Sequence, residues 1–324
     1  MTTHKNEPEP HGTTESQGGI NEQEKTLLAE SLIQSAAAIA EKCPRAKILI
    51  YADAAEDAPL ERLEPFADRT IYVTKTDTET REQTNLGRHC LTVPNIPLSR
   101  TGQIKIAVFL GLSHNLITVG DLVVFLTGQA GSGHFDSIIV TDVGSEFEMY
   151  ASTDDTAPLP KHIRPAVVDR VIELASELGT EGREGKPVGA LFVIGDTQHV
   201  LPLTRQLVIN PFRGYPEDQR NILDPNLEET IKEFATIDGA FLIRGDGVIE
   251  TCGAYIKSAS QDEYELPRGL GARHHAAAAI TSLTDALAVT ISESTGTVTV
   301  FRKGQVVTEI EKPRSSRARS KPTP

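Results

Sequence analysis

The sequence predicts an α/β protein built as two units, each a sheet with helices beside it. Three observations carry that expectation. Apolar runs of strand length recur along the chain, among them "AKILIYA", "DLVVFLTG", "VGALFVIGD" and "LAVTIS", and runs that are apolar at nearly every position suit strands covered on both faces. Stretches of helical period stand between them, the clearest in "RPAVVDRVIELASELGTEG". The chain has 324 residues, which fits two domains better than one, each large enough to bury its own core.

Residues 1–20 are polar and rich in Pro, Gly, Thr and Glu, the composition of a disordered tail. Helical periodicity begins near Asn21 and runs through "KTLLAESLIQSAAAIAEK". Strands are expected at "AKILIYA", "RTIYVTK", "HCLTVP", "IKIAVFLGLS", "DLVVFLTG" and "SIIVTDV", which together make a first α/β unit over 21–152. "TDDTAPLPKH", with its two prolines and its charge, reads as a linker.

The second unit is placed at 159–311. It opens on a helix whose stripe is Val167, Val168, Val171, Ile172, Leu174 and Leu178, stopped by Gly179 and Gly182. "VGALFVIGD" and "TRQLVI" follow as strands, then a helix from about Leu227 to Phe234. "AFLI" and "VIETCGAYI" flank Arg244-Gly245-Asp246-Gly247, and an Asp-Gly between two strand-like runs signals a hairpin. A last helix starts near His274 with Ile280, Leu283 and Leu287 on its apolar side, and "LAVTIS" and "TVTVFRKG" are strands. The unit therefore mixes a sheet with flanking helices. Residues 312–324 are basic and proline-punctuated, a second disordered tail.

Acidic residues outnumber basic ones, 45 to 32, for a net charge of −13. That balance argues against broad binding to nucleic acid or to an anionic membrane, while leaving room for a local basic pocket. Cys43, Cys90 and Cys252 are scattered with no CxxC, which fits a reducing compartment. The first residues carry no apolar signal core, and no apolar run reaches bilayer length. A soluble, cytoplasmic protein is expected.

Three short stretches can carry chemistry. In "GLGARHHAAAAI", Gly269 and Gly271 permit close backbone approach, and the helix start that follows offers free N–H groups and a dipole to an anion. Arg273 adds a charged fork, and His274 and His275 are further donors. The same triplet also reads as a surface loop. A zinc pair is the weaker reading, because adjacent helical residues diverge and no spaced ligand completes the set. Asp238, followed by Gly239 and Ala240 at a strand entry, is either a turn residue or a carboxylate for Mg²⁺ or Mn²⁺ beside substrate phosphates. "SESTG", Ser292 to Gly296, is either a plain hairpin turn or a source of hydroxyl donors with Glu293. "GQAGSGHF" reads as a plain loop or a glycine-rich phosphate loop.

The order "DGA", "LGARHHAAA", "SESTG", with "ALFVIGD" and "NPFRGY" upstream, resembles the diadenylate cyclase domain family over roughly Leu159 to Glu311. Residues 21–152 look like the C-terminal domain of pyruvate kinase, and the pairing is similar to archaeal-type soluble diadenylate cyclases. The resemblance implies a pyruvate-kinase-C-like α/β domain followed by a mixed-sheet cyclase domain. It implies an enzyme that joins two ATP into cyclic di-AMP and two pyrophosphates with Mn²⁺ or Mg²⁺, at a face-to-face pair of cyclase domains, so that self-association is required.

By the same resemblance Asp238 is the metal-binding catalytic carboxylate, and Arg273 and His274 hold the phosphates. Gly239, Ala240, Leu270, Gly271, Ala272, His275, Ser292 and Glu293 complete the ATP site. Two positions depart from the family pattern: His275 stands where it has Arg, and Ala272 where many members have Thr. A neutral imidazole stabilises phosphate less than a guanidinium does, so reduced or pH-sensitive activity is expected. The alternative reading is a catalytically weak sensor that binds ATP or cyclic di-AMP. A scaffold that responds to a metabolite through its first unit is a third.

Overall fold

The computed structural model describes residues 21–55, 58–129, 131–144, 159–257 and 271–311. The first helix, α1 (Glu22–Lys42), starts where Asn21 and Glu24 cap each other reciprocally, Asn21 Oδ1 accepting from the Glu24 N–H at 2.9 Å and Glu24 Oε2 from the Asn21 N–H at 3.0 Å. Its buried face, Ala29, Ile33, Ala36 and Ala40, lies on a five-stranded sheet.

That sheet contains β1 (Ala46–Tyr51), β2 (Thr70–Thr74), β3 (His89–Thr92), β4 (Leu122–Thr127) and β5 (Ser137–Asp142) in the order β3-β2-β1-β4-β5. The first four run parallel and β5 is antiparallel to β4. A 3-10 segment, Leu60–Arg69, leads into β2, and α2 (Asp77–Asn85) joins β2 to β3.

One expected strand is a helix. "IKIAVFLGLS" lies within α3 (Arg100–Ser113), started by the Ser99 hydroxyl accepting from the Gly102 N–H at 3.1 Å. Ten of its 14 residues are buried. A helix covered nearly all round loses the polar positions that would reveal its period, so its sequence looks like a buried strand. Its buried Gln103 is satisfied on both sides, by Thr127 Oγ1 on the side chain and by the Tyr51 hydroxyl on the backbone carbonyl, each at 2.7 Å.

In the second unit, α4 (Pro165–Glu181) ends at Gly182, whose φ of 68° suits a residue without Cβ. The strands are β6 (Leu191–Ile194), β7 (Thr204–Gln206), β8 (Ala240–Ile243), β9 (Ile249–Ile256), β10 (Leu287–Ile291), β11 (Val298–Arg302) and β12 (Gln305–Ile310), in the order β12-β11-β10-β6-β8-β9-β7. Only the β6–β8 pair is parallel. The helices α5 (Glu228–Phe234) and α6 (Ala272–Leu283) complete it.

Both faces of the sheet are covered. Phe192 and Ile194 face the core that contains Val168, Val171 and Ile172 of α4, while Leu191 and Val193 face Ala277, Ala278 and Ile280 of α6. That is why β6 reads as a continuous apolar run. Of the expected strand "TRQLVI", Thr204–Gln206 pairs with β9 and the Leu207 N–H still reaches the Gly253 carbonyl at 2.9 Å, while Ile209 beyond it is 93% exposed. β12 has no counterpart in the sequence reading.

The two sheets share a core. One buried cluster runs from Phe109 and Leu110 of α3 to Val300 of β11 and Val307 of β12, and α3 packs on β12. At the end of α3, His114 Nε2 meets Asp169 Oδ2 of α4 at 2.7 Å.

Candidate functional site

The site is assembled by three chain reversals at one end of the second sheet. Gly239 has φ of 112°, and a Cβ there would stand 2.6 Å from the Gly253 carbonyl carbon and 2.8 Å from the Ala254 nitrogen. Only glycine lets the turn before β8 press on β9 in this way. The consequence is that Asp238, one residue earlier, points its side chain outward, 92% exposed.

The second reversal is the start of α6. Its N-cap is Gly271, which brings no side chain to the first turn. The N–H groups of His274 and His275 turn back to the Gly271 carbonyl at 3.0 and 3.3 Å. Among the described residues no side chain caps this first turn, so the N-terminal end of the helix dipole can face an anion. The third is the turn after β10, closed by Ser292 N–H to Thr297 O at 2.9 Å and Gly296 N–H to Ser292 O at 2.7 Å. The Ser292 and Ser294 hydroxyls lie 3.2 Å apart, and Glu293 projects from the turn.

Arg273 ties the three together. Its Nη2 lies 3.6 Å from Asp238 Oδ1 and its Nη1 3.4 Å from Glu293 Oε2. Both contacts are long for charge-assisted hydrogen bonds, and both carboxylates are largely exposed. A phosphate can displace either without leaving a buried charge unpaired. Gly189 lies against the guanidinium, where a Cβ would come within 2.6 Å of Nη1.

Three clefts meet at this arginine. The largest, ≈ 740 Å³, is bordered by Gly271, Ser292, Glu293, Glu309 and Glu311. A second, ≈ 360 Å³, opens between α6 and the β8–β9 hairpin and is walled by Gly239, Ala240, Tyr255, Ala272 and Ala276. The third, ≈ 370 Å³, brings in Arg183 and Lys186 beside Asp238 and Glu293.

The two histidines differ. His275 is half-buried, whereas His274 is 5% exposed, its ring edge-on to Phe301 at 5.9 Å. Burial lowers the pKa of His274, with the charges of His275 and Arg273 adding to it. Its imidazole is therefore neutral at pH 7, though it still borders the large cleft.

Leu270 lies outside the described residues. The structure brings Asp238, Gly239, Ala240, Gly271, Ala272, Arg273, Ser292 and Glu293 to the same clefts. It adds Gly189, Tyr255, Arg183 and Lys186, which the sequence did not single out. Gly189 carried a signal, a glycine at a strand entry, but nothing in the sequence says which side chain it accommodates.

Among the described residues no group of three His, Cys, Asp or Glu could hold a metal by itself. The donor set does fit a hard divalent ion held by one or two carboxylates and completed by phosphate oxygens and water.

Comparison with known proteins places these residues in context. A family model described as DisA bacterial checkpoint controller nucleotide-binding matches residues 177–306, and one described as a probable sensor domain, DacZ_P, matches residues 28–149. The description of the first unit is thus a sensor domain and says nothing of pyruvate kinase. A protein of Methanocaldococcus jannaschii named diadenylate cyclase is 35% identical over 207 residues, 62% of this chain and 63% of that one. The match thus spans a little under two thirds of that relative. A Haloferax volcanii protein of the same name is 34% identical over 214 residues, 64% of this chain and 75% of that one. A solved Bacillus cereus structure, described as a hypothetical membrane spanning protein, aligns with a TM-score of 0.34 at 18% identity, over 50% of this chain and 68% of that one. Among the described residues no helix is long and apolar enough to cross a membrane.

Proposed function

The chain belongs to the diadenylate cyclase family, and on that premise we propose that it joins two ATP into cyclic di-AMP with release of two pyrophosphates. The observation that carries this reading is Arg273, held at the N-terminus of α6 between two loosely paired carboxylates, Asp238 and Glu293.

The walls of the second cleft suit a flat base, with backbone at Gly239 and small side chains at Ala272 and Ala276. Triphosphate then reaches the helix N-terminus, where Arg273 exchanges its carboxylates for phosphate oxygens. Ser292 offers a hydroxyl from the facing turn, and neutral His274 can donate one N–H without carrying charge. Arg183 and Lys186, in the third cleft, supply further positive charge near Asp238. When bound, Mn²⁺ or Mg²⁺ on Asp238 would neutralise phosphate charge and favour ionisation of the attacking hydroxyl.

In each half-reaction a ribose 3′-oxygen bonds to the α-phosphorus of the other ATP. The bond from that phosphorus to the bridging oxygen breaks, the hydroxyl proton leaves, and pyrophosphate departs. The protein's contribution is positioning and electrostatics. One chain carries one Arg273–Asp238 set, so two copies must face each other, each presenting its bound ATP to the partner; a two-fold contact meets that requirement.

Incubating the full chain with ATP and Mn²⁺ or Mg²⁺ over a range of protein concentrations tests the reading. It requires cyclic di-AMP and pyrophosphate at a ratio of one to two, with a rate per chain that rises with concentration until association saturates. Stable ATP binding without either product at any concentration would support the sensor reading instead.

A further inference from the structure

The second sheet ends on the short edge strand β7, and an apolar ridge follows it. Leu207, Val208 and, on the neighbouring strand, Tyr255 are exposed, and Ile209 stands almost wholly in solvent. The ridge is braced. The Leu207 N–H donates to the Gly253 carbonyl at 2.9 Å, Asn210 Nδ2 to the Glu250 carbonyl at 2.8 Å, and the Phe212 N–H to Asn210 Oδ1 at 3.0 Å. Phe212 is buried edge-on against Phe234, their ring centroids 5.7 Å apart. Ile209 is thus held outward between anchored neighbours. Large apolar side chains gathered on a fixed surface in this way mark a contact site.

The position of the ridge says what covers it. Leu207 and Tyr255 also wall the ≈ 360 Å³ cleft that contains Asp238 and Arg273. Val208 lies on Gly253, where a Cβ would meet its Cγ2 at 2.6 Å, and Gly253 in turn backs the Gly239 turn beside Asp238. Ile209 is two residues beyond Leu207, so at most about 7 Å of chain separates it from the cleft wall. Whatever covers the ridge therefore stands beside a nucleotide held in that cleft. The cyclase reaction needs a second copy's ATP at the same place, and an unrelated partner there would stand in its way. Charge also lets the patch face itself, because Arg213 and Asp218, one of each sign, are both exposed on the loop that continues the ridge.

We propose that residues 207–209, with Tyr255, are the surface on which a second copy of this chain docks, in a two-fold contact that sets the two nucleotide clefts against each other. The proposal rests on the cyclase reading, which calls for a second copy, and adds the surface by which the copies meet. Apolar side chains at the centre of a contact carry most of its strength, and a two-fold contact uses each of them twice. Ile209 is therefore its most sensitive position.

Sedimentation velocity of the full chain with Mn²⁺ and 3′-deoxy-ATP tests it. That nucleotide can fill the cleft but lacks the attacking hydroxyl, so association is read apart from turnover. The wild type should self-associate as its concentration rises. Ile209→Asp puts a carboxylate into the contact from both copies and should weaken association about tenfold or more. Calorimetric binding of 3′-deoxy-ATP should stay within about twofold, since Ile209 does not line the cleft. Leu86→Asp, at an exposed leucine that follows α2 in the first unit, should leave association within about twofold. Both variants should melt with the wild type, because neither side chain is buried. A wild-type chain that stays monomeric at every concentration, or Ile209→Asp and Leu86→Asp chains that associate alike, would overturn the proposal. Association that depends on Ile209, without cyclic di-AMP formation from ATP, would uphold the ridge as the contact and count against the cyclase reading.

Discussion

Gly189→Ala isolates the placement of Arg273 from its chemistry. The added Cβ would stand 2.6 Å from Arg273 Nη1, 3.0 Å from Glu293 Cβ and 3.1 Å from Arg273 Cζ. Glu293 Cβ is anchored to the turn, whereas the guanidinium is the far end of a flexible side chain, so the guanidinium yields. Restoring ordinary contact near 3.4 Å moves Nη1 by about 0.8 Å. Folding should lose little, because Gly189 has no positive φ and the moving group is partly solvated. Catalysis should lose much: a misplacement approaching 1 Å costs on the order of 10²-fold. The assay is initial cyclic di-AMP formation at saturating ATP, with a thermal melt on the same sample. A hundredfold slower variant that melts with the wild type is the expected outcome. A variant with wild-type rate would refute the claim that Gly189 sets the position of Arg273.

Gly239→Ala should instead unfold the chain more readily, by about 2 kcal/mol or more, since both its φ and the backbone of Gly253 oppose a side chain; urea denaturation reads this directly. His275→Arg should raise turnover, because a guanidinium holds phosphate oxygens more firmly than an imidazole, and equal turnover by the two proteins would contradict that role. Two histidines should tilt stability against pH in opposite senses. His274 has its folded pKa lowered by burial, so its stabilising effect is complete above the unfolded value near 6.5 and is lost as pH falls through the folded pKa. His114 has its folded pKa raised, chiefly by its hydrogen bond to Asp169, so that contact stabilises fully below about 6.5 and fades as pH rises through the raised folded value. Melting curves of His274→Gln and His114→Asn across pH 5 to 8 should each lose the corresponding slope.

Much of this arrangement was legible because local chemistry and tertiary role agree. The helical period that begins near Asn21 announces α1, Asp246-Gly247 announces the β8–β9 turn, and the helix-like run from His274 announces α6. Burial erases the pattern in one element, and a short half-apolar sequence hides another. α3 is covered nearly all round by the shared core, so its period vanished and it read as a strand. β12 escaped notice because "QVVTEI" is short and only half apolar, and its place is fixed by pairing with β11 rather than by its own sequence. At the site, residue types and order showed which side chains might meet an anion. They could not show that His274 packs against Phe301, that Gly189 supports the guanidinium, or that Asp238 and Glu293 share one arginine. Each of these depends on a contact between segments far apart in the chain.

The central claim is that this arginine–carboxylate cluster turns over ATP. Cyclic di-AMP formation by wild type and Asp238→Asn, measured side by side at equal concentration with ATP and Mn²⁺, tests it most directly. Asp238 is 92% exposed and pairs only loosely, so the substitution should leave folding intact. The account predicts product from the wild type, a loss on the order of 10³-fold or more in the variant, and coincident melting curves. Equal yields from the two proteins would contradict it.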